Sequence, residues 1–196
     1  NLKYLKLSNN VIKTVEKLFE KNKFMNLNDL DLSNNLIEKV NFSIQTLPYL
    51  EYLDLNSNSL LKEININNLN LKSLNINNTL NLKKIESLNN FLALKFLFMA
   101  NARLDTIRSI IRTSTIVSNL NILVLTSTNL NYFSFFNDFQ NILTELVLKN
   151  LTISKLDFHQ NFFNLNKLDL SFSQIIEYDN ETFFKNSKKL KEIRLR

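Results

Sequence analysis

The 196-residue chain contains no cysteine, no glycine and no tryptophan, one proline (Pro48) and one histidine (His159). Each absence removes a class of chemistry. Without cysteine there is no disulfide framework, no thiol nucleophile and no zinc site of the usual Cys/His type. Without glycine no glycine-rich loop can cradle a phosphate. His159 stands in Asp157-Phe158-His159-Gln160 between apolar anchors, the setting of a structural or surface histidine, and any histidine-dependent reaction would rest on it alone. The apolar runs fall far short of the about 18 to 20 residues that a membrane helix needs. The formal net charge is +6, but it is not bunched as a nucleic-acid reader requires. Its densest run, Lys185, Lys188, Lys189, Lys191, Arg194 and Arg196, reads as a solvated face at the C-terminal end. The carboxylates Asp29 and Asp31, two residues apart, could chelate calcium, but a solvated acidic strand is the commoner arrangement. The chain is therefore read as non-catalytic, with no metal, no cofactor and no nucleic-acid partner.

What the chain has in place of these is a repeat. Leu-x-x-Leu-x-Leu-x-x-Asn-x-Leu is clearest at Leu27, Leu30, Leu32, Asn35 and Ile37. Near copies open at Leu2, Leu50, Leu71, Leu94, Leu120, Leu143, Leu165 and Leu190, spaced by 21 to 26 residues. In each copy the Leu-x-Leu core alternates inward and outward, as a short strand does. Successive strands then stack into one parallel sheet. Nine of them at about 4.8 Å give a sheet about 40 Å long. An Asn following the strand can satisfy backbone groups that stacking would leave buried and unpaired. Asn10, Asn35 and Asn58 fill that column. Thr79, Ala102, Thr128, Leu151 and Ser173 follow them, so local irregularity is expected near Ala102 and Leu151, with Asn101 or Asn150 shifting in. Apolar anchors such as Ile44, Leu47, Leu88, Phe91, Phe183 and Phe184 are assigned to the opposite side. Ile107, Ile110 and Ile111 suggest a helical turn or two there.

Alternation also identifies the face that solvent sees. Asp29, Asp31, Tyr52 and Asp54 form an acidic and aromatic zone, and Phe96, Phe98, Ile122, Val124 and Val147 an apolar one. Contiguous apolar patches mark interaction sites, and aromatic anchors flanked by polar residues are typical of binding hot spots. Both zones are candidate partner-binding residues. Four Asn-x-Ser/Thr sequons, at Asn41, Asn77, Asn150 and Asn180, are candidate N-glycosylation sites. Asparagine is about one residue in six, so chance alone would produce about as many sequons.

On these motifs the chain resembles the leucine-rich-repeat family over essentially its whole length, with a period inside that family's range of about 20 to 29 residues. The resemblance implies an α/β repeat solenoid: a right-handed superhelix with a concave parallel sheet and a mostly irregular or short helical convex side. Residues 1–196 are expected to form a single array, and the absence of recognisable capping units suggests a stretch of a longer one. Copies with a late aromatic, as in Ile175, Tyr178, Phe183 and Leu190, are similar to the extracellular class found in Toll-like receptors and cell-adhesion ectodomains. That class implies a protein ligand or co-receptor on the concave face, a homodimer as another occupant, and membrane attachment only through segments outside this chain. An intracellular scaffold or regulatory subunit in the cytoplasm is the alternative, and the sensor segment of a larger signalling enzyme a third. Regular intracellular arrays, the absent convex-side proline and cysteine caps, and the incomplete Asn column all keep that alternative open.

Overall fold

The computed structural model describes residues 1–19, 24–86, 91–103, 119–127, 129–130, 142–156, 162–178 and 187–195. His159, Asn180, Phe183, Phe184, Leu88 and the isoleucines at 107, 110 and 111 lie outside the described residues.

Among the described residues, nine strands form one parallel sheet: β1 (Tyr4–Lys6), β2 (Asp29–Asp31), β4 (Tyr52–Asp54), β6 (Ser73–Asn75), β8 (Phe96–Ala100), β9 (Ile122–Thr126), β11 (Glu145–Lys149), β13 (Lys167–Asp169) and β15 (Glu192–Arg194). Every strand opens two residues after a repeat leucine. The register stacks like on like, with Leu5, Leu30, Leu53, Leu74, Leu97, Leu123, Leu146, Leu168 and Ile193 in a single row. From Leu30 to Leu168 that row is buried. The ends of the row, Leu5 and Ile193, are only partly covered, as stacking requires of units with a neighbour on one side.

The outer side is more regular than its irregular sequence suggests. Strands β3 (Lys39–Ser43), β5 (Glu63–Asn67) and β7 (Lys84–Glu86) make one three-stranded parallel sheet, and β10 (Asn129–Leu130), β12 (Thr152–Leu156) and β14 (Gln174–Tyr178) make another. The cause is a two-residue alternation: Val40, Phe42, Ile64, Ile66 and Ile85 point inward between polar neighbours. Helix is limited, among the described residues, to a 3-10 turn at Glu16–Leu18, and no helix there is long and apolar enough to cross a membrane. Phe19 packs edge-on against Phe24 and Phe42, with ring centroids 5.4 and 5.2 Å apart, a favoured aromatic geometry.

After the main strands the chain turns through a left-handed residue. Asn9, Asn34, Ser57, Asn78, Asn101, Ser127, Asn150 and Phe172 all have φ between 52° and 61°. A chain without glycine uses Asn where it can, because Asn tolerates this region better than other residues with a Cβ. The residue that follows each of them is the expected Asn column. Asn35 Nδ2 donates to Leu7 O (2.9 Å), Leu32 O (3.0 Å) and Ser33 O (3.0 Å), and its Oδ1 accepts from Ile12 N (3.0 Å). Asn58 repeats the arrangement one unit on, to Leu32 O and Leu55 O and from Ile37 N. Ser173 does similar work, donating to Leu148 O (2.7 Å) and accepting from Leu151 N (3.1 Å).

The expected shift of Asn101 or Asn150 into this column does not occur. Both stay in the left-handed column, where Asn101 donates to Asn78 Oδ1 (2.5 Å) and Asn150 to Ser127 Oγ (2.9 Å). Ala102 and Leu151 are simply buried. Around them the strands lengthen: β8, β9 and β11 run five residues, while the other main strands run three. Side chains of neighbouring units still serve this stretch: Leu148 O takes the Ser173 hydroxyl, and the Ala100 amide goes to Asn77 Oδ1.

Candidate functional site

Strand length in the interior of the sheet follows the side chain at the third strand position. Asp31 Oδ1 accepts the amide (3.0 Å) and hydroxyl (2.6 Å) of Ser33. Asp54 Oδ1 takes the Asn56 amide (2.8 Å), and Asn75 Oδ1 the Asn77 amide (3.1 Å). Asp169 Oδ1 takes the Ser171 amide (3.0 Å) and hydroxyl (2.5 Å). Each is an Asx turn that draws the amide two residues on out of the ladder, and each of these strands ends at three residues. Phe98, Val124 and Val147 offer no acceptor there, and their strands continue to five. The acidic and apolar zones are thus two ways of ending a strand as well as two kinds of surface.

Of the acidic and aromatic zone, Asp29, Asp31, Tyr52 and Asp54 come together. They line a concave groove of about 340 Å³ with Lys6, Ser73, Asn75 and Phe98. Burial favours a protonated Asp31, but the Ser33 hydroxyl and amide, with Ser8 and Lys6 beside them, outweigh it and hold the carboxyl below its ordinary value. Asp54 goes the other way. Burial raises it, and the Asp31 and Asp29 charges add to the rise, despite bonds from the Asn56 amide and Asn75. Asn75 Nδ2 reaches Asp54 Oδ2 at 3.1 Å. Among the described residues no group of three His, Cys, Asp or Glu is placed to hold a metal ion.

The apolar zone is also contiguous. Phe96 pairs in register with Ile122 and Phe98 with Val124, which pairs in turn with Val147. Its display is smaller than the sequence implies. Phe96, Phe98, Ile122 and Val124 are half-buried, and Val147 is buried at 8% exposure, so four side chains face solvent. Because Phe98 also lines the acidic groove, the two zones form one surface. Lys6, Ser73 and Asn75 belong to that surface too. The residue alternation places all three outward, and their polar or basic character kept them out of the two candidate zones.

Further along the face, Asp169 is buried at 1% exposure and meets Lys149 at 3.0 Å and Arg194 at 3.9 Å. Burial raises its carboxyl, but Ser171 and Lys149 prevail and hold it below the ordinary value. Phe172 beside it is 76% exposed. The sequons separate by environment. Asn41 on β3 is exposed, as is Asn150. Asn77 is half-buried, and its Oδ1 accepts the Ala100 amide at 2.5 Å, while the sequon's Thr79 is fully buried on Ile76 O.

Residues 1–60 match the family model described as leucine rich repeat. No curated protein sequence matches the chain. Among solved structures, it is similar to internalin C2 of Listeria monocytogenes, with a TM-score of 0.71 and 20% identity over 98% of this chain and 80% of that one. An internalin of the same organism, InlF, is matched with a TM-score of 0.48 and 17% identity over 97% of this chain and 66% of that one. Residues 1–60 thus carry the leucine-rich-repeat match, and the chain has the leucine-rich-repeat fold.

Proposed function

We propose that this leucine-rich-repeat chain is a non-catalytic protein-recognition module that presents its concave sheet to a protein ligand, as part of an extracellular or cell-surface receptor or adhesion ectodomain. The observation that carries the reading is the block of Phe96, Phe98, Ile122 and Val124, paired in register on adjoining strands of the concave face. Aromatic and branched side chains on a sheet offer contact area at small ordering cost, because the backbone beneath them is already fixed by its neighbours. Polar residues rim the block at Ser73, Asn75 and Glu145, as in a recognition hot spot. The extracellular setting draws support from Asn41 and Asn150, the sequon asparagines that are exposed.

Two measurements test it. Phe96→Asp with Val124→Asp abolishes partner binding while leaving the far-UV circular dichroism and melting profile of the solenoid in place; retained binding would put the site elsewhere. Enzymatic removal of N-glycans from the native protein lowers its mass, with sugar at Asn41 and Asn150 and none at Asn77. A soluble species of unchanged mass would favour the intracellular scaffold instead.

A further inference from the structure

Among the described residues, the carboxylates on and beside the nine-stranded sheet meet cations in all but one place. Glu51 meets Lys72 at 2.8 Å, Glu145 meets Lys167 at 2.6 Å, Asp169 meets Lys149 at 3.0 Å, and Glu192 is bonded to Arg194. The outer sheet follows the same habit, with Lys39 on Glu63 at 3.0 Å and Lys62 on Glu38 at 3.2 Å. Among the described residues, Asp29, Asp31 and Asp54 make no ion pair. Asp31 and Asp54 are direct register partners, an arrangement of like charges that weakens a sheet. Lys6 is the one cation that lines their groove. This local excess of negative charge sits on a chain whose net charge is +6.

Tyr52 and Phe98 also line this groove, and Phe98 pairs in register with Val124. Asp54 and Phe98 are two strands apart, with Asn75 between them, so about 10 Å separates the acidic and apolar parts. That is about three residues of extended chain, so one short segment can reach both.

We propose that the concave face takes a basic, apolar-tipped segment of a partner protein, seating a lysine or arginine among Asp29, Asp31 and Asp54 and an aliphatic or aromatic side chain on Phe98 and Val124. This rests on the protein-recognition reading above and narrows it to the chemistry of the partner. The long stem of a lysine or arginine packs over the Tyr52 ring while its charged head reaches the carboxylates. A bound cation removes the repulsion between Asp31 and Asp54 that the free protein tolerates. Salt screens such an attraction, so affinity falls as ionic strength rises.

Selection of displayed random peptides of about 12 residues, long enough in extended form to cross the face, tests the proposal. The expected binders carry lysine or arginine within a few residues of an aromatic or aliphatic one. They lose at least about tenfold in affinity to the Asp29→Asn/Asp54→Asn variant, weaken with added salt, and fail to bind the Phe96→Asp/Val124→Asp variant. Asn75 already performs the turn function with an amide, so the Asp54 change preserves the fold; unchanged far-UV circular dichroism verifies this for both variants, together with melting no lower than the parent's for the aspartate variant. Binders that need Phe96 and Val124 but ignore the aspartate changes would overturn the basic occupant and leave the recognition reading standing. Binders indifferent to both variants, or no enrichment at all, would overturn both.

Discussion

Asn58→Ala tests whether the side-chain amides hold neighbouring units together. Asn58 is fully buried and makes three bonds: Nδ2 to Leu32 O at 3.0 Å, Nδ2 to Leu55 O at 2.9 Å, and Oδ1 from Ile37 N at 3.2 Å. Leu32 O keeps a partner when Asn58 is removed, because Asn35 Nδ2 also reaches it at 3.0 Å. The orphans are the Ile37 amide and the Leu55 carbonyl. An unsatisfied buried group costs about 1 to 3 kcal/mol, so the two orphans together are expected to cost about 2 to 6 kcal/mol. Asn58→Thr should cost about half as much, because a Thr here reproduces the bond that Thr79 makes to the carbonyl three residues earlier and leaves only the Ile37 amide unpaired. Urea unfolding followed by far-UV circular dichroism measures the loss. Exchange of the Ile37 amide locates it, since stability in a repeat array is set between neighbours. A cost below about 1 kcal/mol for Asn58→Ala, or equal costs for Ala and Thr, would refute the assignment of inter-unit stability to these amides.

Phe172 is a bulky residue in a left-handed turn, at φ 61°, and its ring is largely exposed. Phe172→Asn restores the residue used at most of the other turns and is expected to raise stability by about 1 kcal/mol. Phe172→Ala, which keeps the Cβ and adds no local bonding, should give little of that gain; equal gains would assign the effect to the ring and not to the backbone. For Asp54, a carboxyl raised in the folded state binds its proton more tightly there than in the unfolded chain, so its ionisation costs stability. The cost is full above the raised value and disappears as pH falls through the ordinary carboxylate range. Asp54→Asn should therefore melt higher than the parent near neutral pH, with the gap closing in acid. A gap of opposite sign, or one independent of pH, would sink that account.

The strands were legible because their signal is local and repeats. A leucine, two residues, then Leu-x-Leu sets both the start of a strand and its inward row, and stacking carries the register from Leu30 to Leu168. The surface residues were legible for the same reason, since a period of two sends Asp31, Phe98 and Val124 to one face. Exposure was not legible. Val147 stands in the same outward row as Val124 yet is buried, between Val124 and the ion-paired Asp169 in register, neighbours that the period of two does not take into account. The lapse of the Asn column was misread for a related reason. At Leu151 the compensation comes from the next unit, where Ser173 bonds Leu148 O and the Leu151 amide, a partner that the column position itself does not announce. The outer sheets were missed because Val40-Asn41-Phe42 and Ile64-Asn65-Ile66 alternate over too few residues to stand out from a loop.

A turn column built without glycine also shapes the unfolded chain. Glycine would enter the left-handed region without strain, but it loses more conformational freedom on folding than any other residue. Asparagine and serine carry a Cβ that narrows the disordered ensemble, and a restriction of this kind is worth about 0.4 to 1 kcal/mol per site where the native backbone accepts it. At the asparagine turns, where native strain is small, the repeat therefore stands to gain from the denatured side of the equilibrium. Phe172 shares the restriction and bears more strain, so its turn is the place where this way of building a repeat leaves the least net benefit.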